Sequence, residues 1–162
     1  MPLTASVSTA VHYRPPMLAA IGDTPYNVML FVHIVTAAVG FAPFFVLPLL
    51  AGRGTSSVLF RSLADKTLRI YGTAIIVSGL IGFGVAGLSD KVYRVRQPWL
   101  IAAVIVWVGT VAAVHGGVVP AERALGADPD DRAASQKLRR FGAAVTALFV
   151  VQIALMVFKP GL

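Results

Sequence analysis

The chain has 162 residues, of which 57% are hydrophobic and only 13% charged, with a formal charge of +7. A soluble domain is nearer about 45–50% apolar and about 25% charged, so the composition excludes a water-soluble globule: too few polar groups exist to cover the apolar surface, and lipid is the implied solvent. Cysteine is absent, which excludes disulfides and thiolate metal sites. Basic residues at the ends of apolar runs read as partners of anionic headgroups, not of nucleic acid.

Residues 1–27 read as an exposed tail. Met1–Tyr13 is mixed, Pro15-Pro16 interrupts it, and no basic start marks a signal peptide. A short interfacial piece is expected at Met17–Ile21. Residues 28–162 form the membrane domain. Four apolar stretches follow, at about Val28–Leu50, Leu68–Leu88, Pro98–Val119 and Leu138–Phe158. Each has the roughly 20 residues that a helix needs to cross ~30 Å of hydrocarbon, and none holds an Asp, Glu or Lys. The expected fold is all-α, a four-helix transmembrane bundle.

In the first span, Gly40, Pro43 and Pro48 break the regular pattern. Neither proline can donate to the carbonyl four residues earlier, so a kink is expected, and Val39 and Phe44 need other donors. Small residues recur at helical spacing in the second span (Ser78, Gly82, Ala86) and in the third (Gly109, Ala113, Gly117). Such stripes let backbones approach, and they are the candidate packing seams. Two segments are alike: Leu68-Arg69-Ile70-Tyr71-Gly72 and Leu138-Arg139-Arg140-Phe141-Gly142. They read either as a duplicated helical hairpin or as a coincidence in an Ala/Gly-rich chain. Arg69 and Arg139 are expected to anchor the helices to lipid phosphates, with Trp99 and Tyr93 at the opposite interface.

Four crossings put both termini on one side, here side A. The two longer loops lie on side B with nine of the 14 Lys and Arg, against five on side A. The bias predicts a bacterial plasma-membrane protein with both longer loops in the cytoplasm and both termini outside.

No phosphate loop, nucleophile elbow, zinc motif or paired carboxylates occurs, so no catalytic residue is assigned. The intramembrane polar residues are the remaining leads, above all His33 and His115. By helical rise His33 lies roughly 8 Å below side A and His115 roughly 26 Å below it. Two imidazoles on one metal would be about 4 Å apart, so a shared ion is excluded and no metal site is expected. Each histidine then needs its own partner, and at matching depth Gln152 is the candidate for His33 and Thr73 for His115.

Residues His33 to Pro48, with Pro98-Trp99-Leu100, His115-Gly116 and Lys66-Thr67-Leu68-Arg69, carry a resemblance. Over roughly residues 28–119 the chain resembles a group of uncharacterised bacterial integral membrane proteins with four spans. More distantly it is similar to J-type protoporphyrinogen oxidases and D-type copper-resistance proteins. The resemblance to the oxidases implies haem b on the first-helix histidine, His33. The chain departs from that pattern at Pro43, Leu49, Ile101 and Ala103, where the oxidases carry Gly, Arg, His and Lys. Those changes remove most of the polar apparatus.

Three functions are therefore weighed. The first is a non-enzymatic accessory or structural membrane subunit, alone in lipid, as a homo-oligomer or in a larger complex, with no cofactor expected. The second is a haem b-binding oxidoreductase-like protein using His33 and His115. The third is a small transporter, suggested by the kinked first helix and disfavoured by the lack of an acidic residue within a span.

Overall fold

The computed structural model describes residues 21–51, 58–89 and 92–161. Among them there is no strand. Four helices are long and apolar enough to cross a membrane: α1 (Thr24–Leu50), α2 (Leu59–Gly87), α3 (Pro98–Ala127) and α4 (Arg132–Phe158). The all-α four-helix architecture read from composition is the one observed. Each helix outruns its apolar stretch, because polar residues continue the helix past the apolar boundary. Leu59–Lys66 forms the polar start of α2, and the segment after Pro120 extends α3. The short piece expected at Met17–Ile21 lies outside the described residues except for Ile21, and α1 begins within the segment read as tail.

The helix ends follow simple chemistry. Pro25 and Pro98 occupy first-turn positions, where a missing N–H has no intrahelical partner to lose. At the start of α4, Asp131 accepts hydrogen bonds from the amides of Ala133 and Ala134, at 2.9 and 3.0 Å. The kink expected in α1 is a 3-10 turn at Ala42–Phe45. The Phe44 carbonyl, which Pro48 cannot serve, accepts instead from Thr146 Oγ1 of α4 at 2.9 Å. Two further irregularities are π-helical turns, Thr67–Gly72 in α2 and Val114–Val118 in α3.

α1 runs antiparallel along α2, with Met29 against Gly84, His33 against Gly82 and Gly40 against Ile75. α3 packs along α4, and the second half of α1 also reaches α4. Toward side B all four helices share one core, centred on Phe44, Leu47, Ile75, Val114, Leu138 and Val145. At the side A end a small cluster of Ala86, Trp99 and Leu100, flanked by Tyr93 and Met156, ties α2, α3 and α4 together. Between these two plugs the α1–α2 pair and the α3–α4 pair stand apart. Outward faces are apolar: Phe31, Ile105 and Val157 are each 66% exposed. A folded chain in water does not leave such faces bare.

Candidate functional site

The space between the helix pairs is a cavity of about 540 Å³ in the side A half of the bundle, within the roughly 300–1,000 Å³ usual for small-molecule sites. Its lining is mostly apolar and aromatic, including Phe41, Phe83, Trp107 and Phe149. Its few polar groups fall at two levels.

At the side A mouth, Lys159 Nζ donates to Tyr93 Oη at 2.7 Å and lies 4.6 Å from the centre of the same ring. The Tyr26 hydroxyl lies beside that of Tyr93. Deeper in are His33 and Gln152. His33 is seven residues along α1 from Tyr26, and Gln152 is seven residues back along α4 from Lys159. Both are therefore about 10 Å below the tyrosine–lysine level by helical rise.

His33 is oriented from α2. Its Nδ1 is 2.8 Å from the Ser78 carbonyl oxygen. A carbonyl only accepts, so Nδ1 carries the proton and Nε2 is left as an acceptor. Ser78 returns the contact by donating its hydroxyl to the His33 carbonyl at 3.3 Å. The small residues make this possible: the imidazole lies on Gly82, where a Cβ would be 3.1 Å from its Cε1. The partner of His33 is thus Ser78 and not Gln152, which corrects the pairing expected from depth. Gln152 Oε1 is buried and has no hydrogen-bond partner among the described residues.

Trp107 forms the floor. Its Nε1 donates to the Ile75 carbonyl at 3.0 Å, and its ring lies directly on Gly79 of α2. That contact requires glycine, because a methyl there would overlap the indole.

His115 is elsewhere. Its Nδ1 is 3.0 Å from the Val111 carbonyl of its own helix, and its ring lies on Gly72. Thr73 is not its partner, since its hydroxyl bonds the Leu68 carbonyl of its own helix. His33 meets α2 at Ser78 and Gly82, so the two histidines are about 9–15 Å apart along that helix. They do not converge on one ion, and no cluster of three metal-ligating side chains occurs among the described residues.

The remaining sequence candidates are distributed as follows. Ser78 and Ala86 are buried, and Gly82 is half-buried against α1. Gly117 receives the Phe141 ring of α4, whereas Gly109 is exposed and a Cβ there meets nothing within 4 Å. Ala113 is half-buried against the core, so within this chain the seam expected along α3 holds at Ala113 and Gly117 and leaves out Gly109. Arg69 and Arg139 are exposed. Trp99 is only 3% exposed and Tyr93 is half-buried on Lys159, so both pack inside the bundle end and not outward as interfacial anchors. The two similar segments differ locally: Thr67–Gly72 is π-helical, and its counterpart lies within regular α4.

One polar residue escaped the sequence reading. Pro120 looked like the end of the third span, but the π-turn before it keeps the helix running, with the Val119 amide bonded to the Val114 carbonyl. α3 thereby carries Glu122 inward, where it is 6% exposed and accepts from Thr67 Oγ1 at 2.9 Å. Glu122 lies three residues past the apolar stretch Pro98–Val119, which itself holds no acidic residue, yet within α3. Its only sequence signal was Glu122 standing alone within an apolar helical period.

Compared with protein-family models, curated proteins and solved structures, the chain finds no match.

Proposed function

We propose that the chain is a multi-pass integral membrane protein of a bacterial plasma membrane, acting as a ligand-binding accessory subunit through its side A cavity. The observation that carries this reading is His33. A histidine in an apolar wall, held by a backbone carbonyl so that one nitrogen stays without a partner, is a preorganised polar contact of the kind that orients a ligand. The Lys/Arg excess on side B supports an orientation with both longer loops cytoplasmic and both termini outside. The cavity then lies in the outer half of the bilayer. A homo-oligomer or a larger membrane complex is the proposed setting.

The experiment is to extract the detergent-purified protein with organic solvent and compare it with Ala37→Phe, which places a ring in the cavity wall. A hydrophobic compound at near-stoichiometric yield in the wild type, depleted in the variant, is expected. Identical extracts would overturn the reading.

A second reading, haem b on His33, has one supporting geometric feature. Donation from Nδ1 to the Ser78 carbonyl fixes the tautomer that leaves Nε2 for iron. The apolar lining also suits a macrocycle, and haem there would supply one-electron chemistry. Absorbance near the Soret maximum per mole of protein, for wild type and His33→Gln side by side, separates the readings. The accessory-subunit reading expects no stoichiometric band. A wild-type band lost in the variant would install haem.

A further inference from the structure

The cavity presents two hydrogen-bond acceptors with nothing to accept from. Gln152 Oε1 is buried without a partner. His33 Nε2 is an acceptor because Nδ1–H is committed to the Ser78 carbonyl, and no described residue donates to it. The two lie at the same depth on facing helices, α1 and α4, by the common helical offset from the tyrosine–lysine level. Leaving the buried Gln152 Oε1 unsatisfied is costly, and in an apolar chamber the remedy is a ligand that donates. The amide of Gln152 could be turned, which would expose its NH₂ group instead. A hydroxyl, both donor and acceptor, answers either orientation.

We propose that this cavity binds a hydroxyl-bearing aromatic ring with an alkyl or isoprenoid tail, of the hydroquinone class, in preference to the corresponding quinone. The lining supplies the ring's environment: Phe41, Phe83, Trp107 and Phe149 offer faces and edges for stacking. Contacts between α1 and α4 are sparse in this half. The wall there includes Ile34, Ile153 and Val157, which also reach the outer surface, so a tail can leave sideways into lipid. Quinone carbonyls only accept, and would set acceptor against acceptor at His33 Nε2 in either amide orientation, and at Gln152 Oε1 in the orientation observed. Iron on His33 would leave Gln152 Oε1 unsatisfied, whereas two ring hydroxyls can serve both groups. The inference rests on the reading of the cavity as a ligand site and adds the ligand's chemistry to it.

The test uses the full chain in detergent under anaerobic conditions with three probes: a decyl-substituted benzohydroquinone, its benzoquinone, and decylbenzene. Both tryptophans of the chain, Trp99 and Trp107, line the cavity, so titration of their emission gives a dissociation constant for each probe. The hydroquinone should bind about tenfold more tightly than the quinone, the effect of roughly one net hydrogen bond. Gln152→Leu removes the unsatisfied acceptor with little change in volume. It should fold at least as well as wild type, bind quinone no more weakly, and bring the preference below about threefold. Equal affinity for quinone and hydroquinone, or a preference unchanged in Gln152→Leu, overturns the proposal. If decylbenzene binds as tightly as the other two, the ligand-site reading survives and the hydroquinone inference falls. If no probe alters tryptophan emission, both fall.

Discussion

Gly79 and Gly109 offer the sharpest test of the packing, because the same methyl group should act in opposite directions at the two positions. Both are helical glycines, and replacing Gly by Ala in a helix favours folding by up to about 1 kcal/mol. At Gly109 the new Cβ meets nothing within 4 Å, so only that gain remains, and Gly109→Ala should be stabilising by about 0.5–1 kcal/mol. At Gly79 the methyl falls inside the Trp107 ring. The indole cannot swing away without losing its hydrogen bond to the Ile75 carbonyl and its edge contact with Phe83, at 6.3 Å between centroids. Overpacking of this kind costs about 1–3 kcal/mol, and an intramembrane hydrogen bond adds about 0.6 kcal/mol. Set against the helical gain, Gly79→Ala should lose about 1–2.5 kcal/mol. Reversible unfolding in mixed micelles, followed by far-ultraviolet circular dichroism, measures both variants. Tryptophan emission should shift only in Gly79→Ala. The reasoning fails if the two variants move stability in the same direction, or if Gly109→Ala is the more damaging.

Three other outcomes are expected. Thr146→Val removes the donor that serves the Phe44 carbonyl and should destabilise the bundle by about 0.6–2 kcal/mol; Thr146→Ser, which keeps the hydroxyl, should recover most of this in the same unfolding assay. Asp131→Ala strips the cap of α4 and should cost about 1 kcal/mol, whereas Asp131→Asn should cost little, since it can still accept. Alkaline phosphatase fused after Leu162 should be active and its fusion at Gly126 inactive, following the positive charge on side B; the reverse pattern would invert the proposed orientation.

The sequence determined the number of helices, their class and their approximate positions. A run of about 20 apolar residues has few alternatives in lipid, where every backbone polar group must be bonded within its own segment. The disturbed second half of α1 was legible for the same reason, since Pro43 and Pro48 remove named donors. The choice of partners was not legible. Depth along a helix is a one-dimensional coordinate and does not say which faces meet, so it pointed to Gln152 for His33, whereas the partner is Ser78. Rotation of α1 against α2 decided it, placing the imidazole on Gly82 and under the Ser78 carbonyl. The small residues likewise marked where backbones could approach without saying which of them did. Gly79 took the indole of Trp107, Gly117 took Phe141, and Gly109 faced outward. The π-turn before Pro120 decided the place of Glu122, because its wider hydrogen bond let the helix continue past a residue that lacks an N–H. The cavity belongs wholly to the tertiary structure. It exists because two helix pairs, closed by one core toward side B and by Trp99 and its neighbours at side A, stand apart between those plugs.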